Sequence, residues 1–321
     1  MNTLKTIVIG TSLTGRSDDV VRAGAAIARA TGAVPWLVHA YSLPAFPSEL
    51  GALDAAWLGD YVESLREQLS QQARRTGLTG PVGVEPCQLH LTMGTPSHRE
   101  IVELARQVQA DLIVVGAAEG GALRRTLLGS TADGVIRSAP CPVFAVRSAS
   151  AFPPTRVEIP VDLSPAAAAA LRAGLDFLAQ VGAGNAETEV LFVLNPLEAA
   201  GSLQFTPEQI ERFTLEELQR FLKANGASPR LSRLRGGYPS EEILAALAER
   251  RADLAILGTH GRKGLERLMV GSVAAEVMHH AACNLLIVPP GSGPQQEMAE
   301  ERAGADWSFV SDETPAVSLQ P

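Results

Sequence analysis

Gly258, Gly261, Gly271 and Ser272 fall at a spacing that could wrap main-chain amides around an anion. Gly258 and Gly261 permit sharp bends and a close ligand approach, because no Cβ stands in the way. Gly271 and Ser272 lie where a second bend would bring another N–H and a hydroxyl to the same point. Amides near a helix start attract anions, and phosphate is the commonest such anion in parallel α/β proteins. Thr259, His260, Arg262 and Lys263 add donors and positive charge. A lone G-x2-G reads better as a tight strand-to-helix connection, with glycines for geometry only. The third glycine and the serine in register favour phosphate.

The elements that must hold these residues are legible on either side. Leu254 to Leu257 is an apolar run of strand length ended by Gly258. Leu265 to Ala282 has helical spacing, and Leu285 to Val288 is a second short apolar run closed by Pro289 and Pro290. Strand, glycine loop, helix and strand make one βαβ unit with parallel strands. In an open parallel sheet the ligand crevice lies beyond the C-terminal strand ends. Asp162 closes the strand Arg156 to Val161, so its carboxylate is expected to face that crevice. The competing role, an N-cap for the next helix, belongs more naturally to Ser164 before Pro165.

The unit occurs twice. Ala110 to Val146 overlays Ala252 to Val288 without a gap, pairing Asp111 with Asp253, Gly116 with Gly258, Gly129 with Gly271, Ser130 with Ser272 and Cys141 with Cys283. Upstream, Gly94-Thr95-Pro96 pairs with Gly237-Tyr238-Pro239. The first copy reads as strands Thr6–Ile9, Pro35–Ala40, Val84–Leu91, Leu112–Val115 and Val143–Val146, separated by helices Ser17–Thr31, Leu53–Arg75, Pro96–Gln109 and one after Gly129. The second reads as strands Arg156–Val161, Val190–Leu194, Arg230–Leu234 and the focal pair, with helices Pro165–Val181, one from Thr206 to Gly226, and Ser240–Arg250. Alternating strands and helices predict right-handed parallel crossovers. The fold class is therefore α/β, with domains over 1–148 and 155–290 and a polar, acidic, mobile tail over 291–321.

The focal stretch resembles the signature of the universal stress protein family, G-x2-G-x9-G-[S/T], at every specified position, and the resemblance runs to about Pro290. It implies two tandem open, twisted, parallel five-stranded sheets with helices on both faces, of the adenine-nucleotide alpha-hydrolase-like kind. The two copies would form an intramolecular pseudo-dimer in which Val143–Val146 meets Leu285–Val288. In that family the motif holds the ribose and phosphates of ATP, an aspartate placed like Asp162 bonds the nucleoside, and a second-strand residue placed like Val193 holds adenine through its backbone. The implied binding set is Pro160, Val161, Asp162, Val193, Gly237, Gly258, His260, Gly261, Arg262, Gly271, Ser272 and Val273, with ATP, with or without Mg2+, as the cofactor. Pairing within the chain is the expected assembly, and the resemblance is compatible with a homodimer as well.

The first copy departs from the pattern. Ser12 stands in place of Asp162, and Glu119 in place of Gly261. A carboxylate about 5 Å from a phosphate charge costs roughly 3 kcal/mol at an effective dielectric of about 20. The missing charge-assisted bond at Ser12 costs roughly 1–3 kcal/mol more. The expectation is one ATP, in the C-terminal copy, with the N-terminal copy structural or regulatory. Arg124 and Arg125 weigh against it, being able to pair with Glu119.

Other classes are excluded or disfavoured. A net charge of −8 supplies no phosphate-neutralising surface for nucleic acid. Cys87, Cys141 and Cys283 are too scattered for a disulfide framework or zinc site, which fits a reducing cytoplasm. No run reaches membrane-spanning length, and the first strand starts at once, without a signal-peptide pattern. There is no G-x4-GK[ST] P-loop and no G-x-G-x-x-G after a strand. Gly10 to Gly15 is one residue too long for a nucleophile elbow. His279 and His280 lie on different helix faces and cannot share a metal, and His39 reads as structural. Catalysis would need a positioned base, and Glu266 and Glu276 sit on the following helix where exposure is the default. A regulatory ATP binder is the leading reading, with a slow ATPase and a nucleotide-free interaction scaffold as alternatives.

Overall fold

The computed structural model describes residues 3–43, 55–78, 87–117, 128–147, 152–195, 206–259 and 270–290. The N-terminal half comprises β1 (Thr6–Gly10), α1 (Asp18–Thr31), β2 (Val34–Tyr41), α2 (Ala55–Arg75), β3 (Gln88–Met93), α3 (Ser97–Gln107), β4 (Leu112–Gly116), α4 (Ser130–Ser138) and β5 (Val143–Val146). The C-terminal half repeats the order with β6 (Arg156–Val161), α5 (Pro165–Gln180), β7 (Glu187–Leu194), α6 (Pro207–Ala224), β8 (Ser232–Gly236), α7 (Pro239–Glu249), β9 (Leu254–Gly258), α8 (Ser272–His280) and β10 (Asn284–Val288).

Local chemistry explains the element ends. Thr206 and Gln209 form a reciprocal capping box at α6, and Gly32 ends α1 in the left-handed region at φ 72°. Several boundaries differ from the sequence reading, among them the start of β7, which lies at Glu187 instead of Val190. The third strand starts at Gln88 instead of Val84, and residues 84–86 lie outside the described region. The strand expected from Arg230 starts at Ser232, because Ser228 caps a 3-10 turn over Pro229–Leu231 with Pro229 at its first position. The helix expected from Leu265 starts at Ser272. Gly271 is extended, at φ −59° and ψ 148°, and residues 265–269 are outside the described region.

The strands form one ten-stranded sheet in the order β3-β2-β1-β4-β5-β10-β9-β6-β7-β8. Each half is parallel, and the halves join edge to edge where β5 runs antiparallel to β10, with Ala145 opposite Leu285, Phe144 opposite Leu286 and Val143 opposite Ile287. The expected meeting of the last strands is therefore present, and it leaves the C-terminal strand ends of the two halves pointing opposite ways. One apolar layer, under α1, α2, α5 and α6, runs unbroken from Leu4 to Val288. The other, under α3, α4, α7 and α8, runs from Val8 to Ile287. Phe144 of β5 meets Phe177 of α5 across the seam, ring centroids 5.7 Å apart.

The repeat carries its own packing rules. A Cβ on Gly24 of α1 would come within 2.5 Å of Ile9, and one on Gly174 of α5 within 2.7 Å of Ile256. A side chain at either place would force that isoleucine to move or the helix to rise off the sheet. The paired aspartates tie strand starts together. Asp111 accepts the Lys5 and Thr6 amides at 2.8 and 3.0 Å, and Asp253 accepts the Thr155 and Arg156 amides, each at 3.0 Å. Asp253→Ala is expected to lower stability by about 1.5–3 kcal/mol, the range for hydrogen bonds to a charged group. The urea midpoint would fall with the slope unchanged; an unmoved midpoint would refute the clamp.

Candidate functional site

The chain turns sharply where β6 ends. Asp162 follows the buried Val161, and its Oδ1 accepts the Ser164 amide at 3.0 Å. Leu163 between them is left-handed at φ 62°, as Leu13 is at φ 59° in the first half. Such backbone strain persists only where the surroundings enforce it. Ser164 is the N-cap of α5 and accepts the Ala167 amide at 3.1 Å. Asp162 is thus not the cap: it closes the turn that delivers the chain from sheet to helix.

Gly258 ends β9 opposite Val288. A Cβ there would stand 3.3 Å from the Ala166 carbonyl, so glycine lets the first turn of α5 lie against the strand end. Thr259 is buried, and its carbonyl accepts the Gly271 amide at 2.8 Å. The first half repeats this closure, Gly129 donating to Ala117 at 2.7 Å. One expectation changes as a result. The Gly271 amide, expected to face the ligand, donates instead to the Thr259 carbonyl in closing the loop. Gly271 is instead the N-cap of α8 and makes no side-chain cap bond. The amides that follow, of Ser272 and Val273, have no intrahelical acceptor by position, and both residues are exposed.

Val193 lies on β7, its backbone in register with Arg235 of β8 and its side chain in the apolar layer. Gly237 donates to the Leu194 carbonyl at 3.1 Å and holds φ 150°, with Glu242 where a Cβ would go. Pro160 is half-buried near the end of β6. The topology therefore gathers Pro160, Val161, Asp162, Val193, Gly237, Gly258, Gly271, Ser272 and Val273 at one end of the C-terminal half-sheet. His260, Gly261 and Arg262 lie outside the described residues, as do Glu119, Arg124, Arg125 and the tail from 291.

The equivalent end of the N-terminal half holds a cavity of about 740 Å³, over Gly10, Thr11, Ser12, His39, Ala40 and Gly116, with Arg16 and Thr131 also lining it. Where the second half has its carboxylate turn, Ser12 and Thr14 hydroxyls lie 2.9 Å apart. His39 Nδ1 lies 2.9 Å from the Thr11 carbonyl, and burial lowers its pKa, which keeps the ring neutral and structural. Beneath them Thr11 Oγ1 sits 2.7 Å from Gln72 Oε1, and Gln72 reaches Asp18, which Arg75 pairs at 2.8 Å. That pair holds the Asp18 carboxyl below its ordinary value. Sequence reasoning missed this network, because its members lie on separate elements with no common spacing.

Among the described residues no group of three or more His, Cys, Asp or Glu could hold a metal, and no helix is long and apolar enough to cross a membrane. Burial pushes the thiols of Cys141 and Cys283 up to about 12, so they are packing groups at neutral pH.

The profile of the universal stress protein family matches residues 3–147 and again 155–289. A universal stress protein of Mycobacterium tuberculosis is 28% identical over 193 residues, which is 58% of this chain and 64% of that protein. This match spans just under two thirds of the relative's length. One of Mycolicibacterium smegmatis is 25% identical over 295 residues, 88% of this chain and 97% of its own. The crystal structure of a universal stress protein from Archaeoglobus fulgidus superposes with a TM-score of 0.63 at 16% identity, covering 91% of this chain and all of that one, which extends the likeness of fold across both halves. Both copies of the repeat are thus matched in sequence and the pair of them in architecture: the chain belongs to the universal stress protein family.

Proposed function

We propose that this chain is an ATP-binding regulatory protein of the cytoplasmic stress response, with its nucleotide held in the C-terminal half. One observation carries the reading most. Helix α8 opens from Gly271, an N-cap residue with no side chain of its own to cap the first amides, at the end of the sheet where β6 delivers Asp162. Unsatisfied amides and the helix dipole together favour phosphate at such a place. The residues fit the ligand. Ser272 and Val273 amides take phosphate oxygens, Asp162 takes the sugar or base end, and the Val193 backbone lies beside adenine. His260 and Arg262 add a donor and a charge from the loop. ATP supplies the triphosphate charge that these groups neutralise, and Mg2+, where it accompanies ATP, shields the same charge.

Calorimetric titration with ATP tests the assignment. One site per chain is expected, and Asp162→Ala should weaken it by about tenfold to a hundredfold, the loss of one charge-assisted hydrogen bond. No heat from wild-type protein would end the nucleotide reading. A second reading, two nucleotides per chain, is favoured by the cavity of about 740 Å³ in the N-terminal half. Nucleotide released by denaturing the purified protein counts the sites directly. The function is binding rather than turnover, so incubation with ATP and Mg2+ should release no phosphate above background; release abolished by Asp162→Ala would make the protein a slow ATPase.

A further inference from the structure

The antiparallel seam sets the ligand end of the N-terminal half beside the opposite end of the C-terminal half. Arg147 stands at that junction, directly after β5. Its amide donates to Asn284 Oδ1 at 2.8 Å, at the start of β10. Its guanidinium donates to the carbonyls of Met278 and His279, in the last turn of α8. A cation bonded to the final carbonyls of a helix satisfies groups that lack intrahelical partners and complements the helix dipole. The helix so held is the one whose first-turn amides form the proposed phosphate site.

The arrangement is one-sided. In the overlay of the two copies, Pro289 occupies the place of Arg147, and it offers neither an amide N–H nor a guanidinium. The last carbonyl of α4 is served from within its own half, Ser138 accepting from Arg106 at 3.1 Å. On its other side Arg147 adjoins the N-terminal cavity. Val146 pairs with the cavity residue Gly116, and the Val146 carbonyl accepts the Ala117 amide at 2.8 Å. Backbone bonds thus run from the floor of one half's cavity to Val146, and the Arg147 side chain next along the chain carries the link to the phosphate helix of the other.

We infer that Arg147, contributed by the N-terminal half, is a positioning residue for the phosphate site of the C-terminal half, acting through α8. The inference rests on the nucleotide reading above. It requires a selective effect, because α8 meets only the phosphate end of the ligand. In the full-length chain, Arg147→Ala should weaken ATP binding by roughly three- to tenfold, the scale of a helix-terminus charge. Adenosine affinity should stay within about twofold, since adenosine makes no use of the helix dipole. Arg147→Lys should recover most of the loss. Asn284→Ala, which removes the neighbouring cross-half bond to the Arg147 amide and leaves the guanidinium in place, should leave the ATP-to-adenosine ratio unchanged. Hydrogen exchange without ligand should be faster across residues 272–280 in Arg147→Ala than in wild type.

Equal losses for ATP and adenosine, or no loss for either, would overturn the inference and leave the nucleotide assignment standing. Unchanged exchange across α8 would overturn it as well. Wild-type protein that binds neither ligand would instead remove the nucleotide assignment, and the site served by Arg147 with it.

Discussion

Arg250→Met is expected to cost about 3–5 kcal/mol of folding stability, the range for removing one partner of a buried ion pair. Glu158 is fully buried in β6, and its Oε2 accepts from Arg250 Nη1 at 2.8 Å. Its other oxygen, Oε1, is buried without a hydrogen-bond partner. Arg250 also donates to the carbonyls of Val157 and Glu187 at 3.1 and 2.9 Å, bracing the starts of β6 and β7. Beyond it the charges continue through Glu189, which Arg233 reaches at 2.7 Å. Removing Arg250 leaves a carboxylate in an apolar layer with its main counter-charge gone.

The loss should depend on pH in a definite direction. Burial already raises the Glu158 pKa above the ordinary carboxylate value, against the pull of Arg250. A carboxylate raised in the folded state favours folding fully below its unfolded pKa, and that contribution is lost as pH rises through the folded pKa. Without Arg250 the folded value moves up further, so the deficit of the variant should be larger at pH 8 than at pH 5. The repeat supplies the control. Val8 and Val108 stand at the matching places of the first half, so Glu158→Val with Arg250→Val imitates it. That double variant should be neutral or up to about 4 kcal/mol more stable than wild type, as when a buried pair gives way to apolar residues. Urea unfolding of the singles and the double at both pH values completes the cycle. A deficit below about 1 kcal/mol that ignores pH would remove Glu158 from the list of buried charges.

How much of this was legible beforehand follows from the kind of signal each feature leaves. The gapless overlay of Ala110–Val146 on Ala252–Val288 fixed the architecture, because repeated apolar runs and repeated turn residues must fold alike. Gly258 and Gly271 were visible for the same reason: glycine spacing is written in sequence. The use made of each amide was not. Whether Gly271 donates to a ligand or to Thr259 depends on how the loop closes, and that bond joins residues twelve positions apart. The start of α8 was hidden too, since the stretch from Leu265 keeps a helical period while the extended backbone of Gly271 sets the cap. Glu158 and Arg250 were findable, as charges standing where the first half has Val8 and Val108, but only a sheet puts them 2.8 Å apart. The cavity in the N-terminal half left no mark, because the serines and threonines that line it, most of them between Thr11 and Ser17, have no spacing that sets a cavity wall apart from an ordinary turn.

Phe177→Ala should lower stability by about 3–5 kcal/mol and loosen both halves together. The Phe177 side chain is fully buried in α5, and Phe144, 2% exposed, is its neighbour from β5 across the seam. Cutting a buried phenylalanine to alanine forfeits its transfer energy and opens a cavity. The pair adds about 0.5–1.5 kcal/mol beyond burial, from ring geometry. The apolar layer around it does not stop at the seam, and Leu4 of the first half donates its amide to Gln180 of the second at 2.7 Å. Two halves that share a core in this way should unfold in one transition. The tryptophans make this measurable, since Trp36 and Trp57 lie in the first half and Phe177 in the second. In a Trp307→Phe background, emission reports the first half alone. If the halves are one cooperative unit, Phe177→Ala shifts the tryptophan-detected midpoint as far as the midpoint from far-ultraviolet circular dichroism. If each half stands by itself, the tryptophan midpoint stays where it was, and the seam is a contact between finished domains rather than part of a common core.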